Sequence, residues 1–513
     1  MKAYWKRVAA FALMVAFVFA AGCAGQAPAS EQSSTADTAE EASAGTVQTS
    51  AAGGNLDPDN PVTVTLWHYY TGESQSDLEE AVSTFNQSVG RDSGVIVEAV
   101  AKGNLRELED AVTDAAKGVI NAEEMPNIFS CYADKAMELN ELGAVCDLSN
   151  YFTPEEQSEY VEGFLEDGLF DGRLLVLPIV KSTELLYINK TVLDEFAAAT
   201  GAYSASSLET WEGVYDLSRA YYEWTDSATP DVPWDGKGFA GIDELANFLI
   251  VSNKQLGTDL LDADSASVNI NRDVLKKIFD VYYPAVSLGY FDEVGQFRSD
   301  DVKTGDLAAY VGSSSSASYF PTFTEMDGQQ VDIELQAAAY PMFEGGTPYA
   351  IQQGAGMAVG KADAALEEAS CLFLKWFTDE TQNISFARMT GYLPVKQQAY
   401  TSEELESTLI ALTEGDTDSQ NMRKVYDIAL DEIVEETPYA AKPFNGSYDA
   451  RSTLRSTLQD AGLAGKEAAA ALKAQGQTAD EILQSLDVDQ QFDAWIVQVC
   501  SALEDAGIAY TEA

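Results

Sequence analysis

From Val62 onward the chain switches repeatedly between two hydrophobic periods, and this constrains its fold more than any single motif. Val62-Thr63-Val64-Thr65-Leu66 alternates apolar and polar residues, the period of a half-buried strand. Leu78, Val82, Phe85 and Val89 then recur at helical spacing. Val95-Ile96-Val97 reads as a second strand and Leu105, Leu108, Val112 and Val119 as a second amphipathic helix. Asn127-Ile128-Phe129 begins a third strand after Pro126. This β-α-β-α-β order predicts an α/β fold with a parallel sheet covered by helices on both faces. Ligands of such sheets sit beyond the carboxyl ends of the strands, where loops meet helix N-termini. Further on, Thr153-Pro154-Glu155-Glu156 is a capping box with proline at the first helical position. Leu174–Val180 and Leu185–Ile188 read as apolar strands, and Trp211 to Tyr222 as a helix. Leu307–Val311 precedes the run Gly312 to Ser316, and Gly356–Val359 is one more strand. The C-terminal quarter is mostly helical in pattern, and no internal repeat is visible.

Composition decides which functions such a fold can serve. The 513 residues carry 30 basic and 83 acidic side chains, a formal charge of −53. That excess excludes a general nucleic-acid binder, which needs a basic face to displace counterions. It also argues against adhesion to anionic membranes through a polybasic patch. With 46% apolar residues the chain can bury large cores, and its length suits two or three domains or lobes. His68 is the single histidine, so histidine-rich metal sites and Ser-His-Asp triads are nearly excluded. It reads as a structural or ligand-contacting residue, and neither a metal, a cofactor nor a catalytic residue is expected.

The N-terminus carries an address. Lys2, Lys6 and Arg7 precede the apolar run Val8 to Ala21, too short for a membrane span but suited to a signal peptide. Ala20-Ala21-Gly22-Cys23 resembles a bacterial lipobox, with alanine where leucine is commoner. The expectation is a signal peptide over 1–22, lipidation at Cys23 and a disordered Ala/Ser/Thr/Gly tether over 23–60. An ordinary secretory signal cut nearby is the alternative. Either way the globule lies outside the cytoplasm, and lipidation would hold it at the outer face of the cell membrane. Cys371 and Cys500 fall in apolar helical runs and read as buried thiols. Cys131 and Cys146 are left open: they could pair in an oxidising compartment, but spacing alone does not fix connectivity.

Five segments in order, behind a lipoprotein signal, carry a family resemblance: Leu66 to Gly72, Leu177-Pro178 through Lys190, Thr210-Trp211-Glu212, Thr304 to Tyr310, and Thr390 to Val395. Together they resemble the extracellular solute-binding lipoproteins, family 1, of bacterial ABC importers, over about residues 61 to 500. The resemblance implies two α/β lobes joined by three crossovers and closing on a solute, with the loaded form delivered to permease subunits. The expected lobes are 61–182 with 343–392, and 183–342 with 393–513. A monomer without a catalytic step is implied.

Lys102-Gly103-Asn104, Gly391 to Pro394, and Asn445-Gly446 leading to Arg451 are similar to the glycerol-3-phosphate branch. That likeness implies Tyr132, Ser182, Ser313, Gly354, Tyr392 and Arg451 as ligand contacts; Lys181 adds a second cation beside Ser182, Tyr70 ends a strand on the cleft side, and Asn104 and Gln353 complete the expected set. Two departures from the branch fall at Leu105, where an aromatic is usual, and at Ala133, where a carboxylate is usual and Asp134 follows. They put the hydroxyl-binding half in question and leave the anion-binding half.

Chemistry supports the anion half independently. Arginine offers phosphate a bidentate fork and lysine a point charge, while Gly312 to Ser316 can donate N–H and hydroxyl groups. Blander roles stand beside each: an ion pair of Arg451 near Asp449, a solvent-exposed Lys181, and a plain serine loop. Three functions follow. The first is capture of a polyol phosphate such as glycerol-3-phosphate, or a glycerophosphodiester, or sugar. The second is a receptor for a neutral oligosaccharide, using aromatic faces such as Trp67, Tyr69, Tyr70, Tyr319 and Tyr392. The third, remote, is a secreted glycoside hydrolase.

Overall fold

The computed structural model describes residues 55–512 except 296, 327 and 436. The expected signal peptide, Cys23 and most of the expected tether lie outside these residues. Asn55 donates through its backbone N–H and Nδ2 to Glu368 Oε2 at 2.9 and 3.1 Å, and Leu56 packs on the core.

Two mixed sheets organise the chain. In the first, Val62–His68 pairs in parallel with Val95–Ala101 and Ile128–Cys131, and Gly356–Val359 adds an antiparallel edge. The parallel expectation therefore holds for three strands and fails for the returning fourth. Strand alternation sorts the side chains. Val64, Leu66 and Ile128 join one core, while Trp67, Phe129 and Ala358 join another with Leu108 and Val112 from helix Leu105–Ala116. In the second sheet the order is Leu335–Ala338, Glu184–Asn189, Ala309–Ser313 and Ala240–Ile242. Every residue of its strand Glu184–Asn189 is buried, which explains the unbroken apolar run there.

Local signals fix the helix starts. Thr153 caps Pro154–Gln157 in a full capping box, Asn189 caps Lys190–Thr200 and Thr210 caps Trp211–Asp226. The first predicted helix is broken: Gly72–Gln87 ends at Ser88, and Val89 opens a separate turn, Val89–Ser93. Val119 lies outside its helix and is exposed. The expected strand Leu174–Val180 is overturned. Only Arg173–Leu174 pairs as a short strand, and Leu177 bridges Met357. Its apolar side chains are buried because the segment threads between packed elements. Burial on all sides gives a strand-like composition without a ladder.

The C-terminal helices cover the second sheet. Ser447–Lys473 buries Ala450, Leu454 and Leu458 in that core, beside helices Arg272–Leu288 and Val488–Asp505. Gly465 permits the close approach: a Cβ there would stand 2.2 Å from Ser287 Oγ and 2.8 Å from the Tyr283 ring. Cys131, Cys146, Cys371 and Cys500 are all buried free thiols, so the possible Cys131–Cys146 disulfide is not formed. Among the described residues, no helix is long and apolar enough to cross a membrane.

Candidate functional site

Three chain crossings meet between the sheets. Lys181 and Leu393 exchange backbone hydrogen bonds at 3.1 and 2.6 Å, and Ser182 and Gln353 do so at 3.0 and 2.8 Å. The 181–182 segment is thus flanked on both edges by the other two. Buried Asn383 ties two of them, donating through Nδ2 to the Ile179 carbonyl and accepting from the Val395 N–H at 2.8 Å. Thr183 Oγ1 donates to Glu432 Oε2 at 2.8 Å, and Glu432 Oε1 accepts from the Tyr340 N–H at 2.8 Å.

A cleft of about 440 Å³ opens beside these crossings. Tyr132, Ala133 and Asp134 reach it from the end of the first sheet's strand Ile128–Cys131, and Gln352 to Gly354 from a crossing. Glu244 and Asn247 start the helix after Ala240–Ile242, and Arg451 and Arg455 stand one turn apart on Ser447–Lys473. The walls therefore hold two guanidinium groups and three carboxylates, Asp134, Asp167 and Glu244. Tyr132 is 44% exposed and offers its ring face. Burial raises Asp134, against the Lys135 N–H and Arg451.

One buried chain of polar groups supports this wall. Arg451 Nη2 donates to Asn247 Oδ1, and Asn247 Nδ2 donates to Glu184 Oε1 at 2.8 Å. Gln353 Nε2 donates to the same Glu184 oxygen. Glu184 is 2% exposed, and burial drives its carboxyl up to about 8 against these two hydrogen bonds. Gln352 is 5% exposed, yet neither of its amide atoms has a partner among the described residues. A buried amide left open at a cleft is a donor and an acceptor held for something that enters.

Of the residues named from sequence, Tyr132, Gln353, Gly354 and Arg451 line the cleft. Tyr392 stands behind it: a Cβ at Gly354, whose φ of +110° favours glycine, would lie 3.5 Å from the Tyr392 ring. Lys181 is neither a free cation nor solvent-exposed. It is 2% exposed, and its Nζ donates to Asp167 Oδ2 at 2.7 Å and to the Gly354 carbonyl at 3.0 Å. Ser182 is buried and held by its backbone. Tyr70 is a core residue, 5% exposed, stacked on Tyr69 and edge-on to Phe386. Asn104 is spent as the N-cap of Leu105–Ala116 in a reciprocal capping box with Glu107. Ser313 caps the 3-10 turn Ser314–Tyr319 and lines no part of the cleft. Arg451 pairs with Asn247, not with Asp449.

Asp167, Glu244, Asn247, Gln352 and Arg455 are cleft residues the sequence reading missed. Only Arg455 left a signal, its i,i+4 spacing from Arg451 on a helix. Asp134, judged one step out of place, does face the cleft.

A family model for bacterial extracellular solute-binding proteins matches residues 80–411, more than half of the chain. The chain belongs to that family. As an extracellular solute-binding protein it captures a small solute outside the cytoplasm for an ABC permease. A search of curated protein sequences returns no match. Solved structures share the two-lobed fold. The cyclic alpha-maltosyl-1,6-maltose binding protein of Arthrobacter globiformis is 18% identical with a TM-score of 0.63, covering 87% of this chain and 100% of its own. UgpB of Mycobacterium tuberculosis, in complex with glycerophosphocholine, is 18% identical with a TM-score of 0.62, covering 87% and 99%. An ABC substrate-binding protein of Listeria monocytogenes in complex with cycloalternan is 14% identical with a TM-score of 0.61, covering 88% and 100%.

Proposed function

We propose that this solute-binding protein takes a small polyol phosphate, and best a glycerophosphodiester with a cationic or hydroxylated head. The observation that carries this reading is the mixed charge of one cleft. Arg451 and Arg455 suit a phosphodiester, and Asp134 and Glu244 suit hydroxyls or a quaternary ammonium. The exposed Tyr132 face adds a surface for a cation or for sugar C–H groups. The likeness to a glycerophosphocholine-bound protein agrees with this chemistry. Lys181 is left out of the ligand set, because Asp167 already neutralises it.

A neutral oligosaccharide is the second reading, favoured by the same carboxylates and by Tyr132. On either reading the lobes are 61–182 with 343–392 and 183–342 with 393–513, and Cys23 carries the lipid anchor of a monomer. No hydrolytic step is assigned.

Calorimetry with glycerophosphocholine, glycerol-3-phosphate and maltotriose separates the readings. Arg451→Ala is expected to weaken the phosphodiester by about 2–3 kcal/mol, the loss of a charge-assisted hydrogen-bonding partner. Tight maltotriose binding that survives Arg451→Ala would move the protein to the oligosaccharide reading.

A further inference from the structure

A second cavity, of about 660 Å³, lies on the second sheet and shares no lining residue with the cleft. Its walls are aromatic: Phe297 and Tyr319 stand 57% and 71% exposed at the rim, and Phe320 and Phe323 line the inside. Tyr310 reaches it from strand Ala309–Ser313, in a stack with Tyr187 at 4.7 Å and Phe320 at 6.4 Å between ring centres. The Tyr310 residue is fully buried, and its hydroxyl has no hydrogen-bond partner among the described residues. Asp243 also lines the cavity. Its Oδ1 accepts from the Arg298 N–H at 3.2 Å. A Cβ at residue 312 would stand 2.6 Å from Asp243 Oδ2 and 3.0 Å from the Tyr310 ring, so Gly312 is what leaves room for this carboxylate along the edge of the Tyr310 ring.

An unpaired buried hydroxyl costs free energy unless something enters to satisfy it. An acid beside a phenol pairs with vicinal hydroxyls, accepting from one and donating to the next. Rigid aromatic faces cover the apolar C–H surface of a sugar ring. The volume lies within the usual range for small-molecule sites. A phosphate is disfavoured: Asp243, Asp300 and Asp418 line the cavity against the single cation Lys303 among its described lining residues. The geometry points to a second, neutral carbohydrate site on the second lobe, with the sugar ring stacked on Tyr319 and its hydroxyls held by Asp243 and Tyr310. It is independent of what the cleft binds.

The test uses maltose as the probe and the full chain, followed by saturation-transfer NMR and calorimetry. A Tyr132→Ala/Arg451→Ala variant disables the cleft, and saturable millimolar maltose binding is expected to persist in it. Tyr319→Ala and Asp243→Asn, each in that background and alone, are expected to weaken this binding about tenfold, or about 1.4 kcal/mol. Tyr310→Phe removes one hydroxyl without changing volume and is expected to weaken it severalfold. Glycerophosphocholine affinity is expected to be unchanged by Tyr319→Ala alone. Should the double variant fail to fold, the wild-type protein against Tyr319→Ala, an exposed position, gives the same comparison. Absence of saturable maltose binding in the folded double variant would overturn the site. So would binding that neither Tyr319→Ala nor Asp243→Asn changes.

Discussion

Lys181 shows why charge read from sequence does not name a ligand contact. A buried ammonium is costly unless it is paired, and here Asp167 and the Gly354 carbonyl pair it inside the protein. Arg451 keeps a wall position because its helix points it into the cleft. Glu184 is the reverse case: a carboxyl without a basic partner among the described residues, held by two amides. Its folded pKa, about 8, lies above the ordinary 4.5, so the folded state binds the extra proton. Its stabilising contribution is full below about pH 4.5 and is lost as pH rises through about 8. Glu184→Gln copies the protonated form and keeps an oxygen for Asn247 and Gln353. The variant is expected to melt higher than the wild type at pH 8.5 and equally at about pH 4, by differential scanning calorimetry at both pH values. Equal melting at pH 8.5 would mean that Glu184 is not the proton acceptor. Tyr132, Gln353, Gly354 and Arg451 line the cleft as the likeness to the glycerol-3-phosphate branch implied. Asn247 and Gln352 were not legible, since an amide in an ordinary apolar segment carries no pattern.

Capped helix starts, such as those at Thr153 and Thr210, were the most legible features, because caps are local chemistry. Asn104 illustrates both the strength and the trap: its position was noticed, but its side chain serves Glu107 and the helix start. Asn104→Ala is expected to cost about 1 kcal/mol of stability and to leave solute affinity unchanged, by urea unfolding and calorimetry. A loss of affinity at unchanged stability would return Asn104 to the ligand set. The segment Leu174–Val180 misled because apolar composition reports burial, not pairing. Gly465 is a packing requirement invisible in sequence. Alanine there gains up to about 1 kcal/mol of helix propensity but must displace Ser287 and Tyr283. Gly465→Ala is therefore expected to destabilise by about 1–3 kcal/mol, the cost of overpacking. A stabilised variant would show that the two helices separate easily.

At the scale of the molecule, the period-switching that opened the chain foretold the first sheet and its two helical layers. The antiparallel return of Gly356–Val359 was not legible, since residues 225 positions downstream of Cys131 pair with it only through the fold. The three crossings are the feature with the longest reach. A pin joint loosens where it turns, and its amides trade protons with water freely. Here each crossing is laced edge to edge with a neighbour through Lys181, Ser182, Gln353 and Leu393. Such a ribbon bends as a leaf spring, all leaves together, without opening a bond. Deuterium uptake at these four amides is therefore expected to be as slow as along Glu184–Asn189, whether or not solute is present. Rapid labelling there would mean that each leaf slides alone, and that the two halves are joined by three separate threads.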